Sequence, residues 1–331
     1  MVRGWLIDGP LCKNPISMPK RQNPLSHSGT LLAILALAHL AACSKNGAEQ
    51  ARPADGAAPV VEGTALTIAS EDAVPIRYRV YGKGEPVLIF IHCWACDSSY
   101  WDQQIDAFKT RHTVVTLDLA GHGESGTTRG DWSIPAFGAD VAAVAGRIGN
   151  REIVLVGHSM GGPVALEAAR RLRNRVIGIV GVDTFTNIGL PPLTPRELDQ
   201  RLEPYRRDFA NTTRDNVTQR FFKPTSDPLL VREIADDMAA LPPGIGIGAM
   251  IGMNNMNYAA TLGDIDVPII AINSDRLPTD VDRIRLHART FRVKIMPGAG
   301  HFLMIEEWAR FNQLLEETIQ ELLRDDRRNS P

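Results

Sequence analysis

The chain has 331 residues, 44% of them hydrophobic and 22% charged, enough apolar material for one well-cored globular domain with room for an insertion. A formal net charge of −2 offers no basic excess to neutralise phosphates, and aromatics at 6% provide no stacking surface for bases, so nucleic acid is not an expected partner. The composition also excludes a fibrous or disordered chain.

Residues 31–42 form an apolar run that is too short to span a bilayer as a helix. Lys20 and Arg21 lie ahead of it, just after Met18, the expected initiator, and small residues follow; this is the layout of a secretory signal peptide. The run ends in Leu40-Ala41-Ala42-Cys43, which resembles the lipobox of bacterial lipoproteins, where the cysteine thiol is lipidated and the chain is cut just before it. That resemblance implies a signal peptide over residues 1–42, lipidation at Cys43 and a membrane anchor in the bacterial cell envelope. Ser44 points to the outer membrane, facing the periplasm. Cleavage there removes four basic residues and one acid, leaving a mildly acidic mature chain. Residues 43–63 are poor in bulky apolar groups and read as a flexible tether with a span of roughly 25 Å.

From residue 64 the pattern changes to strands alternating with amphipathic helices. Short β-rich apolar runs are predicted as strands at Ala65–Ala69, Ile76–Tyr81, Val87–His92, Thr113–Asp118, Ile153–Gly157, Val176–Asp183, Val267–Asn273 and Phe291–Met296. Helix-like stretches fall near 98–109, 135–148, 160–173 and 304–324. Such alternation predicts an α/β fold, a mostly parallel eight-stranded sheet covered by helices on both faces. Residues 184–266 carry no convincing strand and are too long for a crossover loop, so they read as a helical cap inserted after strand six, between core segments 64–183 and 267–331. Within that cap, Thr194-Pro195-Arg196-Glu197 has an N-cap residue, proline at the first helical position and an acid in the first turn.

The chemistry is expected at the strand ends. Ile153 to Gly162 reads as a strand, a tight turn and a helix start, with G-x-S-x-G at Gly157-His158-Ser159-Met160-Gly161. Glycines flank the serine because a sharp turn here brings strand and helix too close for side chains. The turn lifts the Ser159 hydroxyl clear of the sheet and near a helix N-terminus, where negative charge is favoured.

Residues 64–325 resemble the α/β-hydrolase superfamily, in its serine-nucleophile, esterase-like branch with a helical cap. The resemblance is carried in order by His92-Cys93-Trp94, Asp118-Leu-Ala-Gly-His-Gly-Glu-Ser125, the Gly157–Gly162 turn and Gly298-Ala-Gly-His301-Phe302. It implies Ser159 as nucleophile and His301, on a glycine-rich loop after the last strand, as the base that takes its proton. A third residue must hold the imidazole in the right tautomer. Asp275, after strand seven, is the first choice by chain order; Asp183, ending strand six, and Asp280 are the others. The asparagine and serine before Asp275 depart from the glycine the family usually has there. The oxyanion hole is expected from the backbone N–H groups of Trp94 and Met160, although Cys93 stands where the family has glycine. His92, His122 and His158 are motif histidines with structural roles.

Cys93 and Cys96 form C-W-A-C and leave three readings open: a redox pair, a local disulfide, or two ordinary small residues. Met250, Met253 and Met256, three apart, either line an adaptable acyl pocket or fill the cap core. No metal site and no cofactor are implied. The expected activity is hydrolysis of a carboxylic ester or related acyl compound, a small-molecule substrate, through an acyl-enzyme. Carbon–carbon hydrolysis, cofactor-free perhydrolysis and acyl transfer use the same triad, and a non-catalytic surface-binding lipoprotein is the alternative from another class. Ser159 argues against dehalogenase or epoxide hydrolase chemistry, which in this superfamily uses an aspartate nucleophile.

Overall fold

The computed structural model describes residues 62–288 and 290–329. The expected signal peptide, Cys43 and the tether as far as residue 61 lie outside them. Eight strands form one sheet: β1 (Leu66–Ala69), β2 (Pro75–Tyr81), β3 (Val87–Ile91), β4 (Thr113–Leu117), β5 (Ile153–His158), β6 (Val176–Val182), β7 (Ile269–Ser274) and β8 (Phe291–Met296). Their spatial order is β1-β2-β4-β3-β5-β6-β7-β8. β1 and β2 pair antiparallel, as do β2 and β4, and every other neighbour is parallel. The eight predicted strands are the eight observed, each within a residue or two.

Burial follows position in the sheet. Every residue of β3, β4, β5, β6 and β7 is buried, so these central strands show no alternation of inner and outer faces. The edge strand β1 alternates half-buried and exposed residues. Helices α1 (Asp102–Phe108), α2 (Ile134–Gly146) and α3 (Gly161–Leu172) follow β3, β4 and β5. α2 and α3 pack on each other, and α3 lies against β3, β5 and β6. After the short helix α9 (Val281–Arg285), residues 304–324, expected as one helix, are the end of α10 (Leu303–Glu306) and most of α11 (Trp308–Asn329). α1 and α11 pack together and reach β4, β6 and β7. Fully buried Phe90, Trp101, Phe108, Phe302 and Phe311 belong to this core. Each aliphatic or phenyl side chain so buried contributes about 1.5–3 kcal/mol.

The cap follows β6 as five helices: α4 (Pro195–Arg207), α5 (Phe209–Arg220), α6 (Pro228–Ala239), α7 (Pro243–Asn254) and α8 (Tyr258–Gly263). Thr194 caps α4 as its sequence implies, accepting from Glu197 N while the Glu197 carboxylate accepts from Thr194 N at 2.8 Å. Bonds that tie cap to core include Trp94 Nε1 to Gly246 O at 2.9 Å, Tyr100 Oη to Asp237 Oδ2 at 2.9 Å, and His301 N to Phe221 O at 2.7 Å.

Candidate active site

β5 runs into Ser159, whose backbone is forced to φ 53°, a left-handed conformation that costs a non-glycine residue energy. The turn is fixed on both sides: Ser159 N donates to Val182 O at 2.9 Å, and its carbonyl accepts from Gly162 N at 3.0 Å and Thr184 Oγ1 at 2.8 Å. The flanking glycines are steric necessities. A Cβ on Gly157 would stand 2.1 Å from Gly161 O, and one on Gly161 would stand 2.4 Å from Ile91 O. Both contacts are with backbone, so neither residue can be replaced without moving strand or helix. Ser159 itself is only partly buried and stays accessible.

His301 is 5% exposed, in the loop between β8 and α10. Its Nδ1 lies 2.5 Å from Asp183 Oδ2. A carboxylate can only accept, so Nδ1 carries a proton, and in the neutral ring the lone pair that a general base needs is then on Nε2. Burial pushes the Asp183 carboxyl up, but the bond and charge of His301, with two bonds from Ser274, outweigh it and hold the group well below the usual carboxylate range. Asp183 is therefore an ionised, buried partner for the imidazole.

This corrects the expected acid. Asp275 is exposed, and its Oδ1 accepts from Gly298 N at 2.9 Å, a turn contact in the loop that carries His301. Asp280 caps α9, accepting from Arg283 N at 3.0 Å. The structure brings neither to the imidazole. The reason lies in strand register: Asp183 is the first residue beyond β6, next to β7, and Ser274 at the end of β7 turns it inward with its own N–H and hydroxyl. Asp275, one residue past β7, has already left toward the loop surface.

Two rings pack on the imidazole. The His158 ring lies 4.6 Å from it, with His158 Nε2 donating to His301 O at 2.9 Å. Phe221, at the end of α5, lies 4.6 Å from it on another side. Burial, followed by the nearby His301, holds the His158 imidazole well below its ordinary range, so it sits there neutral. Phe221 had no sequence signal, because a single phenylalanine in a helical cap looks like any other core residue.

The loop after β3 abuts the serine turn, since a Cβ on Gly161 would also lie 2.8 Å from His92 O. The backbone N–H groups of Trp94 and Met160 have no acceptor among the described residues, which suits donors reserved for an oxyanion. Cys93 does not need glycine's freedom: the positive φ of this loop falls at Ala95, φ 59°. Cys93 and Cys96 are joined by a disulfide that brackets Trp94. The reading of two unlinked small residues therefore gives way to the disulfide. His92 Nδ1 donates to Cys93 O at 2.8 Å and its Nε2 accepts from Leu119 N at 2.9 Å, which fixes one neutral tautomer and holds the start of the loop.

Met250, Met253 and Met256 line a cavity of about 340 Å³ with Leu193 and Leu198; neither Ser159 nor His301 lines it. Among the described residues, no group of three or more His, Cys, Asp and Glu side chains is arranged to hold a metal ion. Chemically, the arrangement supplies a hydroxyl on a strained turn, an imidazole held by a carboxylate, and two backbone N–H groups without an acceptor among the described residues.

Residues 88–314, more than half of the chain, match the model of the alpha/beta hydrolase family. The chain belongs to that family. It is 23% identical over 262 residues to a 3-oxoadipate enol-lactonase of Acinetobacter baylyi, covering 77% of this chain and 96% of that protein. It is 26% identical over 223 residues to a bifunctional esterase/perhydrolase of Acinetobacter calcoaceticus, covering 63% of this chain and 80% of the other. Among solved structures, a thermophilic esterase from Thermogutta terrifontis superposes with a TM-score of 0.67 at 25% identity, over 78% of this chain and 99% of that one. The mostly parallel eight-stranded sheet with its flanking helices is thus the alpha/beta hydrolase fold.

Proposed function

We propose that this chain hydrolyses carboxylic esters or related acyl compounds through an acyl-enzyme on Ser159. The observation that carries the reading is the 2.5 Å bond from His301 Nδ1 to Asp183, which leaves Nε2 available as a base, while His158, next to Ser159, packs on the same imidazole. Ser159 attacks the acyl carbon as Nε2 takes its proton, and Asp183 stabilises the imidazolium that forms. The N–H groups of Trp94 and Met160 receive the oxyanion. The imidazolium then protonates the leaving alkoxide, and water activated by the same nitrogen releases the acid. The similarity to an esterase, an enol-lactonase and an esterase/perhydrolase supports acyl chemistry of this class. The full chain, assayed on p-nitrophenyl esters of increasing acyl length, is expected to turn over, and a fluorophosphonate probe to label Ser159 alone. Turnover retained in Ser159→Ala, or label on another residue, refutes the assignment.

We also propose that the enzyme is anchored to the bacterial envelope through lipidated Cys43, a reading supported by the lipobox-like Leu40-Ala41-Ala42-Cys43. Expressed from its own leader, it should partition with membranes, and Cys43→Ala should release or misprocess it. An unmodified Cys43 in the mature chain, found by mass spectrometry, rules the anchor out.

A further inference from the structure

Arg276 stands where the family resemblance implied nothing. It follows Asp275 in the loop after β7, yet its guanidinium turns back: Nη2 lies 3.3 Å from Asp183 Oδ2 and 3.4 Å from His301 Nδ1. It is fixed from several directions. Its backbone N donates to Ser274 Oγ at 3.3 Å, Nη1 donates to Arg220 O of the cap at 3.2 Å, and its Cζ stands 5.9 Å from the centroid of the Phe221 ring that packs on His301. A cation therefore contacts the same carboxylate oxygen that holds the imidazole.

We propose that Arg276 is a positioning residue that keeps His301 in its neutral, basic form to lower pH than the His301–Asp183 pair would alone. When Nε2 takes up a proton, the imidazolium charge faces a guanidinium at 3.4 Å, and its carboxylate partner is already shared with that cation. Both effects disfavour the protonated ring. Arg276 is 26% exposed, so water and salt screen part of the effect, and a shift of about one pH unit is expected rather than several.

The other charged or titratable groups around the pair do not duplicate this role. From β5 comes His158, buried and neutral. In the β7 loop, Asp275 is exposed on Gly298 N. From the cap, Arg220 contributes its carbonyl to Arg276, while Lys223 is paired with Glu307 at 2.8 Å. From α10, Glu306 is held by Ser226, with its carboxyl raised by burial.

The inference rests on reading His301 as the base, and its test separates the two. In the full chain, kcat/KM for p-nitrophenyl acetate is followed against pH in wild type, Arg276→Gln, Arg276→Met and Arg276→Lys. The His301 imidazole nitrogens are titrated by NMR in the same four proteins. Gln and Met should move the acid limb up by about one pH unit, so that activity on that limb falls about tenfold, while Lys stays close to wild type. The NMR midpoint should move in the same direction, and it reports whether or not the protein turns over ester. A wild type that neither turns over nor takes fluorophosphonate refutes the hydrolase reading and leaves the NMR comparison to decide on Arg276. The Met variant keeps the stem over Phe221 and stands in for Gln should the latter fail to fold. Midpoints that coincide in wild type and whichever neutral variant folds overturn the proposal.

Discussion

Ser274 donates both its backbone N–H, at 2.9 Å, and its hydroxyl, at 2.7 Å, to Oδ1 of Asp183, leaving Oδ2 for His301. The carboxylate is thereby held in one orientation by the neighbouring strand. Asp183→Asn should lower turnover by about 10⁴-fold, the cost of losing the carboxylate in a well-studied triad. Asp275→Asn should stay within about twofold of wild type, since it removes only an exposed turn contact. Ser274→Ala, which removes one bond to an ionised group, should cost about tenfold. Turnover numbers measured side by side decide; a crippled Asp275→Asn with a normal Asp183→Asn would sink the pairing.

Gly161→Ala tests the close approach of the serine turn to β3. Its new methyl would stand 2.4 Å from Ile91 O and 2.8 Å from His92 O, two backbone atoms that cannot swing aside. The variant should lose about 2–3 kcal/mol in urea unfolding and most of its turnover, because relief requires the turn to move away from Trp94. A variant as stable and active as wild type contradicts the packing described.

Stability should fall on mild acidification. Burial, opposed in part by a bond to the Cys93 carbonyl, lowers the His92 imidazole to about 4, and burial with the neighbouring His92 lowers His122 to about 3. Both lie below the unfolded value of 6.5, so the unfolded chain binds more protons and stability rises with pH. Their contribution is complete above pH 6.5 and is lost as pH falls from there toward 4 and 3. At pH 5 each should cost on the order of 2 kcal/mol relative to pH 7.5. Thermal melts at the two values check this, and replacing His122 by Asn should flatten the dependence.

Arg129 and Asp140 form a buried pair, their side chains 1% and 0% exposed, with Nη2–Oδ1 at 2.5 Å. Asp140 also accepts from Ser70 Oγ at 2.6 Å and Ala120 N at 3.1 Å, and Arg129 Nε reaches Asp72 at 2.6 Å. Arg129→Met strands a buried carboxylate and should cost about 3–5 kcal/mol, whereas adding Asp140→Leu should recover much of it. Equal losses in single and double variants would show that the two do not act as a pair.

The elements legible in the sequence were those governed by neighbours a few residues apart. Strand and helix periodicity, the Thr194 cap and the glycines around Ser159 are local, because burial pattern, capping and steric clash act within one turn or one strand. The position of His301 after the last strand was readable for the same reason. What only the tertiary structure decided were contacts between distant segments. Asp183 and His301 are 118 residues apart, and the choice between Asp183 and Asp275 turned on which strand end presents its carboxylate inward, a matter of register between β6 and β7. The cap residue Phe221 and the guanidinium of Arg276 meet at the imidazole only once the cap folds onto the sheet. A carboxylate one residue past a strand looks the same in sequence on either strand; hydrogen bonds from the adjacent strand select the one that is held.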